Sequence, residues 1–143
     1  MCIRDSMDTA GQSNGEAILQ MDIEGYEYKV LYDIPQKILS NFRILVIEFH
    51  DFSRFLFEPI GYHFVSGLFE KLLSQFSVVH IHENTCCPST TMKNIRIPKV
   101  VEMTFLNKNY INPTGKEASI PHPLDEKNVP ELPDSHFPKL WNI

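Results

Sequence analysis

Acidic and imidazole side chains stand at the ends of three apolar runs in this sequence. Carboxylates and imidazoles that converge on one edge of a domain can remove a proton from a bound hydroxyl group, orient that group, or hold a metal ion. The value of these residues therefore depends on whether the fold brings them together. In chain order they are Asp22 and Glu24; Glu48, His50 and Asp51; and His80, His82, Glu83 and Asn84.

Each of these groups also has a structural interpretation. Asp22 could cap a following helix, since aspartate accepts hydrogen bonds from the free N–H groups of a helix start. His80 and His82 would share one face of a strand, which suits two metal ligands, but no third ligand follows at a recognisable spacing. We therefore predict an ordinary polar pair there and assign no metal ligand. For His50, two residues after Glu48, a structural and a functional role both stay open.

Hydrophobic periodicity predicts the elements that would position these residues. The short apolar run Ala17–Met21, bounded by Asp22, predicts a buried strand. From Glu24 onward the apolar residues fall near helical spacing, with acidic residues in the first turn, and Pro35 interrupts or restarts this helix. Residues 44–49 form a nearly continuous apolar run, which predicts a strand covered on both faces by helices.

The second half of the sequence continues the alternation of helix and strand. Residues 62–76 carry apolar side chains at helical spacing, which predicts an amphipathic helix after a loop that runs through Gly61. Residues 79–82 and 100–106 predict two strands of a long antiparallel hairpin around the polar segment 83–94. Residues 111–143 contain six of the ten prolines, which cannot donate to a β-ladder, so we predict an extended arm over the domain.

This order of elements predicts an α/β fold, with a mostly parallel sheet that ends in an antiparallel hairpin. We predict one domain over residues 7–110 and the Pro-rich arm over residues 111–143. In open parallel sheets, ligands bind outside the carboxyl ends of the strands. We therefore expect Asp22, His50 and His82 to surround a shared pocket at that edge.

Composition limits the function classes. A net charge of −5 and the lack of a Lys/Arg run argue against a nucleic-acid partner. No apolar stretch approaches the roughly 20 residues that span a bilayer, so we expect no membrane partner and a cytoplasmic location. The adjacent Cys86 and Cys87 do not suit a disulfide-stapled secreted domain. Sequence motifs of nucleotide-phosphate binding, serine hydrolases and zinc proteases do not occur.

The first six residues, MCIRDS, match the translation of a transposon end that is used in sequencing-library adapters. We interpret residues 1–6 as an adapter artefact and exclude them from the fold. On this interpretation the gene fragment begins at an arbitrary point.

Five blocks of the sequence resemble the FkbM-type, S-adenosylmethionine-dependent methyltransferases. Residues 19–31, LQMDIEGYEYKVL, are similar to the K(I/M)D(I/V)EGxE(Y)xVL segment of that family. The resemblance covers roughly residues 17–134, and Glu83 departs from it, because the family often has a small residue before the asparagine. The later blocks, in matching order, are 47–50 (IEFH), 80–84 (HIHEN), 97–105 (IP followed by VEMTF) and 121–125 (PHPLD).

The resemblance implies a Rossmann-like, class I methyltransferase sheet of seven strands, of which this chain would be the C-terminal half from the fourth strand. The strands that build the S-adenosylmethionine site would precede it. We therefore expect that cofactor in a full-length parent, carry over no cofactor-binding residue, and expect the chain alone to be inactive.

The resemblance also places Asp22 at the end of the fourth strand, beside the position of methyl transfer. The main demands of that reaction are to position the acceptor and to remove its proton. The catalytic candidates are Asp22, Glu24 and His50. The substrate-binding candidates are Glu48, His82 and Asn84.

Three functions compete at this point. The first is an O-methyltransferase that acts on a hydroxyl of a small molecule or saccharide. The second is a non-catalytic binding domain that retains the fold. The third is a metal enzyme built on His50, His80 and His82. The oligomeric state stays open.

Overall fold

The computed structural model describes residues 17–112 and 121–132. Residues 1–6, which we interpret as an artefact, lie outside the described residues. In chain order the elements are β1 (Ala17–Met21), α1 (Glu27–Asp33), α2 (Gln36–Leu39), β2 (Phe42–Phe49), α3 (Phe52–Phe57), α4 (Pro59–Leu73), β3 (Phe76–Glu83), β4 (Thr90–Met92), β5 (Ile95–Ile97), β6 (Val101–Asn107) and a 3₁₀ turn (Lys108–Tyr110).

Four strands form the main sheet, in the order β1-β2-β6-β3. β1 pairs with β2 in parallel, whereas β6 is antiparallel to both of its neighbours, β2 and β3. The prediction of a mostly parallel sheet is therefore wrong for the strand pairs described. β1, β2 and β3 nevertheless run in the same direction, because β6 opposes both of its neighbours. Their carboxyl ends consequently meet at one edge, and the predicted antiparallel pairing of the last two strands is confirmed.

Each predicted strand is present, and two of the four, β2 and β3, are longer than predicted. β1 has the predicted bounds, β2 begins two residues earlier at Phe42, and β3 extends the predicted run at both ends. Residues 83–94, expected to be turn-like, contribute β4, which pairs with β5 in a separate hairpin. Its turn residues Lys93 and Asn94 both have positive φ, 48° and 65°, as a two-residue hairpin of type I′ requires.

The helices begin and end where the backbone geometry allows. α1 begins at Glu27 and not at the predicted Glu24, because Glu24 and Gly25 have φ of 57° and 99°, outside the helical region. Pro59 occupies the first turn of α4, a position where its missing N–H costs nothing. The loop predicted through Gly61 contains the six-residue helix α3 instead, and α4 begins and ends three residues before the predicted bounds of 62–76.

The core lies between one face of the sheet and the helices. Leu45, Ile47 and Phe49 of β2 are fully buried on this face. Phe49 packs its ring against aromatic residues from three helices and from β6, namely Tyr28, Phe52, Phe69 and Phe105. The other face of β2, with Ile44 and Val46, is only partly buried in the described residues. The expected cover of helices on both faces is therefore not found there.

Lys71 of α4 fixes the end of α1. Its Nζ donates to the carbonyl oxygens of Leu31, Tyr32 and Ile34 at 2.6–2.8 Å. Partial burial lowers the pKa of Lys71, an effect that Asp33 opposes. An ammonium group at the negative end of a helix stabilises the free carbonyls there, so this contact sets the position of α1 against α4.

The predicted arm is described only in part. Residues 113–120 and 133–143 lie outside the described residues, and residues 121–132 form bends and turns without a strand or helix. In the described ranges, no helix has both the length and the apolar composition that a bilayer crossing requires.

Candidate functional site

The carboxyl edge of the sheet gathers the ends of β1, β2 and β3. Asp22 directly follows β1, His50 follows β2, and Asn84 follows β3. Because these strands run in the same direction, the three residues lie along one edge, as the sequence predicts.

The loop after β1 closes around the side chain of Glu27. This carboxylate is fully buried at the start of α1. Its Oε1 accepts hydrogen bonds from the backbone N–H groups of Ile23 at 3.1 Å and Gly25 at 3.0 Å. The positive φ of Glu24 and Gly25 turns the chain back over α1, so the local sequence itself builds a cradle for a carboxylate.

His50 lies against this cradle and contacts three carboxylates. Its Nδ1 is 3.0 Å from Oε1 of Glu27, and its Nε2 is 3.4 Å from Oε2 of Glu24 and 3.8 Å from Oδ1 of Asp22. The side chain of Glu24 is 86% exposed, that of Asp22 52%, and that of His50 19%. The structure thus brings all three predicted catalytic residues together, with His50 between a buried and a solvent-facing carboxylate.

The hydrogen bonds define which nitrogen of His50 can act. Glu27 Oε1 can only accept, so Nδ1 carries the proton and donates to it. In the neutral ring, Nε2 is then an acceptor that faces Asp22 and Glu24. A buried carboxylate that orients an imidazole in this way is the arrangement by which histidine serves as a general base.

Tyr28 fixes the backbone of the same histidine. Its hydroxyl donates to the carbonyl oxygen of His50 at 2.8 Å. Burial, followed by the nearby charges of Glu27 and Asp51, raises the pKa of Tyr28 far above its usual range. The tyrosine is therefore a permanent donor and serves as a positioning residue.

The predicted substrate-binding residues lie apart from this group. Asn84 Nδ2 donates to Oε1 of Glu48 at 2.7 Å, while its Oδ1 accepts from the backbone N–H of Cys86 at 3.0 Å. His82 is separated from Glu48 by β6, since both residues pair with Glu102 in the sheet register. The ring of His82 contacts residues of the segment 121–132 instead. The expected pocket shared by Asp22, His50 and His82 is therefore not formed.

Glu27 is the residue of this site that the sequence did not reveal. Its place in the first turn of a helix suggested an exposed acidic residue that complements the helix dipole. The available signal was the preceding Glu24-Gly25 pair, whose turn leaves backbone N–H groups free to bind a carboxylate.

These observations define an α/β domain with a histidine–carboxylate group at the carboxyl edge of its strands. The family model for the methyltransferase FkbM domain matches residues 5–81, which is more than half of the chain. The chain belongs to this family. The match contains the first two resembling blocks and ends within the third. No curated protein and no solved structure matches the chain.

Proposed function

We propose that this domain takes part in transferring a methyl group from S-adenosylmethionine to a hydroxyl oxygen of a small molecule or saccharide, with His50 as the proton acceptor. Membership in the methyltransferase family supports the reaction class. The observation that carries the assignment of His50 is its contact with the buried Glu27, which leaves Nε2 facing solvent-accessible carboxylates. The common direction of β1, β2 and β3 supports a Rossmann-like sheet.

O-methylation requires the removal of one proton. The acceptor oxygen forms a bond to the methyl carbon, the carbon–sulfur bond breaks, and the hydroxyl proton must leave. His50 Nε2 would accept that proton, and the imidazolium so formed would lie within 4 Å of Asp22, Glu24 and Glu27. Opposite charges at this range stabilise the charged ring, which favours proton removal.

The rim of the site suits the charge of the proposed cofactor. S-adenosylmethionine, when bound, supplies a methyl group on a positively charged sulfur. The exposed carboxylates of Asp22 and Glu24 are complementary to that cation and would face it. For the adenosine end, the described residues contain no glycine-rich turn after a strand, so we assign no residue to it.

Glu48 and Asn84 are the proposed contacts for the acceptor. Their side chains already form a hydrogen-bonded pair at the same edge of the sheet, and both groups retain further hydrogen-bonding capacity. Such a pair suits a molecule with several hydroxyl groups. We leave His82 out of this contact set, because its ring is engaged with another segment.

The test is methyl transfer from tritiated S-adenosylmethionine to a panel of saccharides and small hydroxyl compounds. It uses the chain both as it stands and extended by its upstream coding sequence. In whichever form is active, we expect His50→Gln to lower kcat by about 10²–10⁴-fold with little change in KM. The matched control His63→Gln changes an exposed histidine of α4 and should leave kcat unchanged.

Two results would overturn parts of the proposal. Wild-type turnover in His50→Gln would remove the proton-acceptor role, and wild-type turnover in Asp22→Asn would remove Asp22 from the site. Cofactor binding without transfer to any acceptor would favour the non-catalytic binding domain.

We further propose a cytoplasmic location without nucleic-acid or membrane partners, in keeping with the acidic composition.

A further inference from the structure

A second group of chemistry-bearing side chains lies on the face of the sheet opposite the helices. His80 and His82 of β3 both contact Asp125 of the segment 121–132. Nε2 of His80 is 3.0 Å from Oδ1 of Asp125, and Nδ1 of His82 is 3.6 Å from Oδ2. One nitrogen of each ring and one carboxylate oxygen all lie within 4.8 Å of one another.

The strand is shaped to present both rings on one face. The register between β3 and β6 shifts between Val78 and His80, which leaves Val79 as an extra residue. This bulge places His80 and His82 opposite Thr104 and Glu102, away from the helix-packed core. Their rings stack with centroids 6.5 Å apart.

A local turn fixes the carboxylate. The backbone N–H of Asp125 donates to the carbonyl of His122 at 2.9 Å, and the N–H of His122 donates to Oδ2 of Asp125 at 2.7 Å. The side chain of Asp125 is only 15% exposed. The carboxylate is therefore held in place by its own turn, in a segment that has no helix or strand to position it.

A further contact sets the proton on His82. Its Nε2 lies 3.2 Å from Oδ1 of Asn128, an atom that can only accept, so Nε2 carries the proton. In the neutral ring, Nδ1 is then the nitrogen that can bind an ion. An outer residue that binds the far nitrogen of an imidazole is the usual companion of a metal-ligating histidine.

We propose that His80, His82 and Asp125 bind one divalent transition-metal ion of the zinc type. Two imidazole nitrogens and one carboxylate oxygen are a preferred ligand set for such ions. Bonds of about 2.0–2.2 Å in tetrahedral geometry place neighbouring ligand atoms about 3.3–3.5 Å apart. Each ring nitrogen lies near that spacing from one oxygen of Asp125, at 3.0 Å from Oδ1 for His80 and at 3.6 Å from Oδ2 for His82.

The ion would fasten the segment 121–132 to β3. Its fourth coordination position would remain for water or a small ligand. A cavity of about 250 Å³ lies beside the group, lined in part by His82, His122, Asp125 and Lys127. This inference is independent of the proposed methyl transfer, since the group lies apart from His50.

Titration of the chelator-treated full chain with Zn²⁺ by calorimetry, and with Co²⁺ by visible absorption, tests the site. We expect one ion per chain and d–d absorption typical of mixed nitrogen and oxygen ligands. His82→Gln and Asp125→Asn should each weaken Zn²⁺ binding by at least tenfold. Asn128→Leu, which removes only the outer contact, should weaken it by about 10–100-fold. His63→Gln, in an exposed part of α4, should change nothing.

His50→Gln is the second control, because His50, Asp22 and Glu27 form the other described group with ligand spacing. If His50→Gln abolishes binding while His82→Gln does not, the ion binds at the other group and the inference is wrong. Absence of stoichiometric binding by the wild-type chain also overturns it. Asp125→Asn alters a segment outside the sheet, and its circular dichroism should match that of the wild type, so lost binding in this variant reports on the site and not on folding.

Discussion

Replacing Glu27 should destabilise the domain far more than replacing Glu24, although both glutamates contact His50. Glu27→Ala removes the acceptor of three hydrogen bonds, from Ile23 N, Gly25 N and His50 Nδ1. A hydrogen bond to a charged group contributes about 1.5–3 kcal/mol. The two loop N–H groups can regain water, so we count the lower end of this range for all three.

The sum, about 4.5 kcal/mol, needs one correction. Oε2 of Glu27 is buried without a hydrogen-bond partner in the described part of the chain, and its removal relieves a cost of about 1–3 kcal/mol. The expected loss for Glu27→Ala is therefore about 1.5–3.5 kcal/mol, a large share of the roughly 5–15 kcal/mol that stabilise a domain. Glu24→Ala, whose side chain is 86% exposed, should change the free energy of unfolding by about 0.5 kcal/mol or less.

Urea unfolding followed by far-UV circular dichroism measures both variants. Glu27→Gln, which keeps the acceptor oxygen but removes the charge, should fall between Glu27→Ala and the wild type. Midpoints for Glu27→Ala and Glu24→Ala that agree within error would refute the assignment of Glu27 as the buried acceptor that organises the loop after β1.

Three further predictions use other parts of the structure. Gly61→Ala should destabilise the domain by about 1–3 kcal/mol, because the new Cβ would lie 2.6 Å from the carbonyl oxygen of Phe55. Gly67→Ala on the same helix meets open space and should stabilise the domain by about 0.5–1 kcal/mol. Thermal unfolding compares the two variants. The hydrogen bond to Cys87, and then burial, raise the pKa of Cys86 to about 11. The rate of Cys86 labelling by iodoacetamide, measured by peptide mass spectrometry, should therefore increase roughly tenfold per pH unit from pH 8 to 10. A plateau in the rate by pH 9 would contradict this. Ile18→Lys should reduce self-association, because Ile18 is 64% exposed on β1, the edge strand of the described sheet. Light scattering measures the change, and an unchanged average mass would contradict association through that edge.

The four strands of the main sheet and the longest helix could be predicted because their signals are local. The apolar run of β2 predicts a buried strand whichever strands lie beside it. The apolar spacing of α4 likewise predicts a helix whichever surface the helix packs against. The short helix α3 was not predicted, although Phe52, Phe55 and Leu56 have helical spacing, because its six residues are shorter than the roughly 11 over which periodicity separates a helix from a loop.

The position of β6 between β2 and β3 could not be predicted, since neighbouring strands in a sheet are chosen by packing and not by local sequence. The candidate site, like the fold, could be predicted only where local sequence places its residues. Asp22, Glu24 and His50 follow strands that run in one direction, so their meeting follows from the alternation of elements. Glu27 depends on a loop that folds over it, for which the Glu24-Gly25 pair is the local signal. Asp125 depends on the docking of a segment 43 residues after His82 in the sequence, and it carries no local signal.

The place of β6 has a consequence for biosynthesis. β3 leaves the ribosome before β6, yet among the described strands β6 is its only partner in the main sheet. Until residue 107 has emerged, β6 cannot pair with β2 or β3, so the strand edges that it will cover stay open to other nascent chains. β6, the last of the described strands, therefore joins β2 to β3, and a stalled translation product that ends within residues 84–100 should depend on chaperones to remain in solution.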